Sequence, residues 1–359
     1  MGDICIIGAG VVGCAIAREL AQRGLSVTVI EKHQGAAKET SALNSRVIHS
    51  GFHEKPGTLK SKLALEGSRR ISQYAESRGI EFLRAGMLIA VPHGGIREGL
   101  WREAGALWHL WRNGKRQKIP FRFIPTASGV HRLAPVRALA GIFIPSVSVI
   151  CVEEFVAALI EDAKRDGAEF IFESPVLAIS VEKAHYVIQT PRGGIKAGIL
   201  INSAGQEASE ISLMAAGPSY GIEFVRGDYY ELLGGTARWG IRTLVYPATP
   251  SGSLSKGIHF GPRTDGRVFI GPSATQSSEE APKELFLQAA RRFVPEIGER
   301  DLKWAYAGIR PKLRTKDGLS DFVIRIDRPE PPLINLIGID SPGLSASMAI
   351  ANYVAELCR

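Results

Sequence analysis

Several scarcities in this sequence each exclude a class. Cysteine is rare: Cys5, Cys14, Cys151 and Cys358 are the only four in 359 residues, with no CxxC spacing and no framework pattern. That argues against a disulfide-stapled secreted domain and points to a reducing cytosol and no structural metal. No apolar stretch is long enough to span a bilayer. The N-terminal apolar run, 4–17, is broken by Gly8, Gly10 and Gly13 and lacks a basic n-region or cleavage site, so it reads as neither signal peptide nor spanning helix. Aromatics make up 8% and are nowhere interleaved with a basic run, which argues against a nucleic-acid platform. Internal repeats and low-complexity tracts are absent.

What remains is an ordinary globular composition, 45% hydrophobic and 22% charged, in a chain long enough for two domains. The formal net charge of +8 suits a small anionic substrate and permits peripheral contact with an anionic membrane surface. Residues 3–7 read as a buried strand, 11–23 as a helix ending before Gly24, and 25–30 as a second strand. A polar loop (35–46) and a helix over 58–79 follow. Trp101, Trp108 and Trp111 are spaced to share one helix face, which is expected to pack in the core. An amphipathic helix is expected over 152–166 and strands over 169–173, 176–181, 186–190 and 198–201, with 191–194 as a turn. The stretch 222–271 alternates strands with Gly, Pro and Ser turns, which suggests an antiparallel sheet. A helix over 283–293, a strand over 333–338 and a helix over 344–357 close the chain.

Between the first strand and helix lies Gly8-Ala9-Gly10-Val11-Val12-Gly13. Gly8 permits the tight turn, Gly10 lets the backbone approach a pyrophosphate, and Gly13 lets helix and strand pack closely. The helix N-terminus offers free N–H groups to the phosphates. Glu31 ends the second strand, where its carboxylate can bind a ribose, with Lys32 beside it. Spacing and context together make this a dinucleotide site of Rossmann type. The apolar strand 199–201 running into Asn202, Ser203, Ala204 and Gly205 resembles the second FAD-diphosphate contact of glutathione-reductase-like flavoproteins. The strand–turn–helix start GIDSPGLSAS over 338–347 can aim backbone N–H groups at a flavin carbonyl, and together the two favour FAD over NAD.

At this point the chain resembles the D-amino-acid-oxidase-like FAD oxidoreductases, and among them is most similar to L-2-hydroxyglutarate dehydrogenases and oxidases. The resemblance covers most of the chain and is sharpest over 44–67, NSRVIHSGFHEKPGTLKSKLALEG, against a family run NSGVIHAG…KPGSLKAKLC. RGDY at 226–229, GIHFGP at 257–262 with Asp265-Gly266, GIRP at 308–311 and SPGLSAS at 341–347 also match. It departs at Arg46, where the family has Gly, at Phe52-His53-Glu54, at Leu65 in a Cys position, and over 246–256, which lacks a proline-rich pattern.

The resemblance implies an α/β protein: a glutathione-reductase-like FAD domain (1–85, 141–215 and 300–359) and an antiparallel-sheet substrate domain (86–140 and 216–299). It implies flavin contacts from Thr40, Ser41, Asn44, Ser45, Ser203, Ala204, Gly205, Gly308, Pro342, Gly343, Leu344 and Ser345, and an adenine contact from Val176. Arg310 is expected to anchor a substrate carboxylate, since a guanidinium can grip one bidentately. His49 and His259 are the candidate proton acceptors, with His53 weaker, and Lys55, Lys60 or Arg226 could hold a second, distal carboxylate. The expected reaction is oxidation of a 2-hydroxy acid, with L-2-hydroxyglutarate first. Glycerol-3-phosphate dehydrogenase and amino-acid oxidase are the alternatives within the superfamily, and a flavin-binding protein without turnover lies outside it. The electron acceptor (oxygen, a quinone or a protein) stays open. A cytoplasmic enzyme, peripheral to the inner membrane face if membrane-bound at all, is the expected setting.

Overall fold

The computed structural model describes residues 3–93, 97–249, 255–314 and 321–359. The expected strand–helix–strand unit is Ile4–Ile7, Val11–Gln22 and Val27–Ile30. All four residues of the first strand are buried because apolar layers cover both faces of its sheet. On one face Ile4, Ile6, Val27, Val29, Ile199 and Ile201 pack against Leu20, Phe155, Leu159 and Ile350 from three helices. On the other, Cys5, Ile7, Ile30, Leu200 and Leu333 meet Tyr186 and Ile188 of a small antiparallel sheet. Burial on both faces is what a parallel sheet requires, and it explains why these strands read as continuous apolar runs.

The strand order is Val323–Pro329, Pro332–Ile337, Ile199–Asn202, Ile4–Ile7, Val27–Ile30, Glu169–Ile171, parallel except for the first pair. The chain leaves Ile4–Ile7 for Val27–Ile30 on one side, while Ile199–Asn202 lies on the other. This switch point opens a crevice beyond the carboxyl ends of the strands, where ligands bind in such sheets.

A second, eight-stranded sheet runs Leu302–Leu313, Ile222–Leu232, Val268–Gly271, His259–Pro262, Leu244–Pro247, Met87–Pro92, Ala138–Ile144, Arg122–Ile124. It is antiparallel except where Leu244–Pro247 pairs with Met87–Pro92. Phe286, Leu287 and Ala290 of helix Lys283–Arg291 cover one face. Leu107 and Leu110 of helix Arg97–Arg116 cover the other.

Three expectations need correction. Leu302–Leu313 and most of Ala138–Ile144 hydrogen-bond within the eight-stranded sheet, so the segments expected from 300 and from 141 begin their chain in the other layer. The turn at 191–194 leads into an unforeseen strand, Gly193–Ala197. The Trp face is turned the wrong way: Trp101 and Trp108 are 78% and 60% exposed, and Leu107 and Leu110 on the opposite face make the core. Periodicity defines a stripe, but three Trp among Arg and Lys did not say which stripe was inner. Part of the 246–256 departure lies outside the described residues.

Helix Leu59–Arg78 positions the next part of the site. The Thr58 side chain accepts from Ser61 N at its start, and Gly79 at its end has φ 64°. Gly67 on this helix lets it touch the C-terminal helix Gly343–Leu357, since a Cβ there would lie 2.3 Å from Ser345 O.

Candidate active site

A cavity of about 940 Å³ runs from the Gly8 loop, past Thr40, Ser41, Asn44 and Ser45, to His49 and, on the second sheet, Tyr246, His259 and Arg310. It lies near the top of the roughly 300–1,000 Å³ range of ligand pockets.

At its nucleotide end the backbone does the work. Gly8 has φ +99°, and a Cβ on it would sit 2.8 Å from Ser203 O. A Cβ on Gly13 would fall 2.0 Å from Gly8 O, so helix and strand touch there. The Ser203 hydroxyl donates to Ile7 O (2.9 Å) and Gly8 O (3.1 Å), tying the loop to the neighbouring strand. Ser41 Oγ accepts from Val11 N at 3.0 Å. Glu31 accepts from Ala9 N (2.8 Å) and His33 N (3.0 Å), which pins its carboxylate at the cleft with acceptor capacity to spare. The Lys32 ammonium is shared between Glu39 (2.8 Å) and Glu207. Val12, Val176, Ala204 and Gly205 complete this end.

In the middle, two backbones cross so closely that a Cβ on Gly308 would lie 1.9 Å from Leu43 O. Thr40 Oγ1 donates to Ile309 O (3.0 Å). Asn44 Oδ1 accepts from Arg46 N (2.6 Å), and Arg46 takes φ 58°. The residue that departs from the family's Gly therefore keeps a left-handed backbone, and its guanidinium forks onto Glu153. Arg263, which sequence reading missed, is buried beneath this loop and donates to Ser45 O (2.5 Å) and to Tyr306 Oη. Pro342, Gly343, Leu344 and Ser345 line the cleft at the start of the C-terminal helix, whose first-turn N–H groups lack intrahelical acceptors. Ser345 Oγ accepts from His49 N (2.8 Å) and so fixes the loop that carries His49.

The substrate end is built from side chains. His49 is buried, and its ring Nδ1 has no partner among the described residues. Burial, reinforced by Lys256, His53 and His259, holds it well below the usual histidine range, and His53 shifts the same way from burial, Lys256 and His259. His259 Nδ1 donates to Gly257 O (3.1 Å), which leaves Nε2 as the acceptor, and burial pushes its pKa down to about 3. Tyr246 stacks on His259 with centroids 3.8 Å apart and meets His49 edge-on at 6.3 Å. Its buried hydroxyl has no partner among the described residues, and burial raises its pKa. Lys256, also missed, stands 2.9 Å from Glu54.

Arg310 is half-buried and held by carbonyls alone: Ser273 O (2.6 Å), Arg226 O (3.3 Å) and Val225 O (3.4 Å). Among the described residues no carboxylate lies within ion-pair distance of it, and burial lowers its pKa. Lys55 is exposed at the rim. Lys60 is buried against Asp340, with Lys312 4.0 Å from the same carboxylate.

Arg226 does not reach the cavity. Strand alternation sends Gly227 and Tyr229 inward, and Arg226 pairs instead with fully buried Asp228 at 2.7 Å on the opposite face. Outside the cleft, Glu81, Cys151 and Glu154 bring three potential metal-ligand atoms within 4.8 Å. Burial pushes the Cys151 thiol up, away from thiolate.

A switch-point cleft with a glycine-lined nucleotide end and a histidine-, tyrosine- and arginine-lined far end defines a dinucleotide-dependent redox enzyme. The family model described as FAD dependent oxidoreductase (DAO) matches residues 3–357, and the chain belongs to that family. It is an FAD-dependent oxidoreductase. It is 29% identical over 370 residues to the glycerol 3-phosphate dehydrogenase of Caloramator mitchellensis, covering all of this chain and 74% of that protein. It is 28% identical over 403 residues to an L-2-hydroxyglutarate dehydrogenase of Escherichia coli, covering 99% and 93%. Among solved structures, L-α-glycerophosphate oxidase of Mycoplasma pneumoniae with FAD bound superposes with a TM-score of 0.89 at 25% identity, covering 99% and 94%. Glycine oxidase of Geobacillus kaustophilus, at 0.82 and 21%, shares the fold.

Proposed function

We propose that this enzyme oxidises the CH–OH carbon of a small anionic 2-hydroxy acid, with L-2-hydroxyglutarate, giving 2-oxoglutarate, as first candidate. Arg310 carries the reading. A half-buried guanidinium held by three carbonyls, facing the cavity with no ion-pair partner among the described residues, is suited to an anion.

The Gly8 loop, Ser41 and Glu31 fit a dinucleotide because the backbone cradle tolerates no Cβ at Gly8 or Gly13. Thr40, Asn44, Ser45, Ser203, Gly205 and Gly308 would flank it, with Leu344 and Ser345 N–H at its far edge. Bound FAD supplies the two-electron acceptor for the hydride leaving the substrate carbon. Arg310 grips the carboxylate next to that carbon and fixes which face is presented. His49 Nδ1, neutral because its pKa is held down, accepts the hydroxyl proton. His259, stacked on Tyr246, walls the pocket and keeps water out. Lys256 and Lys55 stand on the cavity wall for the distal anionic group.

Glycerol 3-phosphate is a second reading, supported by the likeness to a glycerol 3-phosphate dehydrogenase and a glycerophosphate oxidase. The test is the visible spectrum of the purified holoenzyme under anaerobic conditions, titrated with L-2-hydroxyglutarate, its D-isomer, L-lactate, glycerol 3-phosphate and amino acids. Bleaching by L-2-hydroxyglutarate alone is expected. Bleaching by glycerol 3-phosphate or an amino acid moves the substrate, and bleaching by none of them removes the reading.

A further inference from the structure

Helix Arg97–Arg116 has two working faces. Its inner face packs Ala106, Leu107 and Leu110 into the core, and His109 and Leu110 line the same cavity as His49. Asn113 Nδ2 donates to Phe52 O (2.7 Å) and Glu54 O (2.9 Å), so the helix is braced against the loop that follows His49. Its outer face is the reverse of what a surface helix normally shows. Trp101 and Trp108 are 78% and 60% exposed, and Trp108 stacks on Trp111 at 4.8 Å, where it stands out from the surface. At the α-helical repeat, Trp101, Trp108 and Arg112 fall within about 40° of one another around the axis. Arg102, Arg112, Lys115 and Arg116 are all exposed around them. Among the described side chains of this helix the one acid, Glu103, is buried and paired to Arg292.

Exposing two indoles to water is unfavourable, and surrounding them with the exposed cations Arg102, Arg112, Lys115 and Arg116, with no exposed acid among the described side chains of the helix, adds self-repulsion. Both features become favourable at one kind of surface. Indole rings settle at the headgroup level of a bilayer, and Lys and Arg beside them are drawn to anionic lipid. Phe123 extends the patch: it is 53% exposed and pairs in register with Ile142, whose side chain packs with Leu107 and Leu110 beneath the helix. We propose that the outer face of Arg97–Arg116, with Trp101 and Trp108 at its centre, docks the enzyme onto an anionic membrane surface. No helix among the described residues is long and apolar enough to cross a membrane, so the contact is with the surface. Because the inner face lines the cavity, docking brings the cleft within a helix diameter, roughly 10–12 Å, of the lipid. This inference is independent of the substrate.

The test is co-sedimentation of the full-length holoenzyme with vesicles of phosphatidylcholine alone or mixed with phosphatidylglycerol, with tryptophan emission recorded in parallel. Binding to the anionic vesicles, a blue shift on binding and partial release by salt are expected. The double substitution Trp101→Ser, Trp108→Ser should lower the bound fraction roughly tenfold and abolish the blue shift while leaving the flavin spectrum unchanged. Arg112→Glu with Arg116→Glu should weaken binding to the anionic vesicles by a similar factor and leave the flavin spectrum unchanged. Failure of the native enzyme to bind anionic vesicles overturns the proposal, as does equal binding by the double-serine variant. Lipid-free self-association that the double-serine variant loses would also overturn it, by assigning the face to a second copy of the chain.

Discussion

The two ends of the cleft are made of different material. The nucleotide end is backbone: Gly8 and Gly13 stand where a Cβ would collide with a carbonyl at 2.8 and 2.0 Å. The substrate end is side chain: among the described residues, His49 Nδ1 and the buried Tyr246 hydroxyl have no partner and Arg310 has no counter-charge. A backbone site tolerates almost no change, because nothing there can rotate away. A side-chain site instead presents polar groups that a ligand can satisfy.

The sharpest break of this contrast is steric. Gly13→Val should abolish flavin binding, since even its Cβ overlaps Gly8 O and the helix that carries it cannot retreat. The purified variant should be colourless, and its melting temperature should fall well below that of the native holoenzyme. At the other end, Arg310→Met should leave the flavin spectrum intact and lower kcat/KM for the carboxylate substrate by about two orders of magnitude. That is roughly the 3 kcal/mol of a charge-assisted pair read as a rate. Loss of the flavin in Arg310→Met, or unchanged kinetics, would erase the distinction between the ends. His49→Ala should slow anaerobic flavin reduction by about 100-fold with flavin retained, the lower end of general-base effects. His259→Ala should slow it less.

One strand carries the comparison into stability. Arg226 and Arg310 are cross-strand neighbours, Arg226 opposite Ile309 and Val225 opposite Arg310, yet they face different sides. Burial alone would raise the Asp228 carboxyl, but hydrogen bonds from Arg226 and Ala281 N outweigh it and hold its pKa low. Arg226→Met should therefore cost about 3 kcal/mol of stability in chemical denaturation, as an uncompensated buried carboxylate does, while KM stays unchanged. A raised KM with native stability would put Arg226 back in the site.

The histidines add a pH dependence of their own. The folded pKa of His259 is lowered to about 3. Below the unfolded value near 6.5, the unfolded chain binds the proton that the folded chain refuses. The stability this group contributes is thus fully present above pH ~6.5 and is lost as pH falls toward 3. Melting temperature should decline from pH 7 to pH 5, and His259→Gln should flatten that decline. A pH-independent melting temperature in the native enzyme would show that these rings are not buried neutral.

What could be read in the sequence follows the same division. The glycine run and Glu31 were legible because local backbone geometry demands particular residue types there. Arg310 and His49 were reached through resemblance. Arg263, Tyr246 and Lys256 were missed because their roles arise only from tertiary placement: an Arg beneath a loop more than 200 residues away, a Tyr stacked on a histidine of the next strand. One signal was available: alternation puts His259 and Gly261 on the same face of a strand read as part of the substrate domain, and Arg263 follows directly at its end. The Trp stripe failed for the opposite reason, since its period was correct and its direction depended on a partner the helix does not bury.

Arg46 lies between the two materials and gives the smallest effect. It holds a left-handed backbone at φ 58° that Gly would adopt freely, at a cost to a non-glycine residue of about 1 kcal/mol. Its forked contact with Glu153, an acid 56% exposed, returns at most about 1 kcal/mol after solvent screening. Arg46→Gly removes both and adds roughly 0.5–1 kcal/mol of unfolded-chain entropy. The three nearly cancel, so the variant should unfold within about 1 kcal/mol of the native protein, with flavin affinity unchanged, by denaturant titration followed by flavin fluorescence. A loss of several kcal/mol would mean that the guanidinium supports the loop carrying Asn44 and Ser45. The middle of the cleft would then belong with its side-chain end, despite the backbone crossing at Gly308.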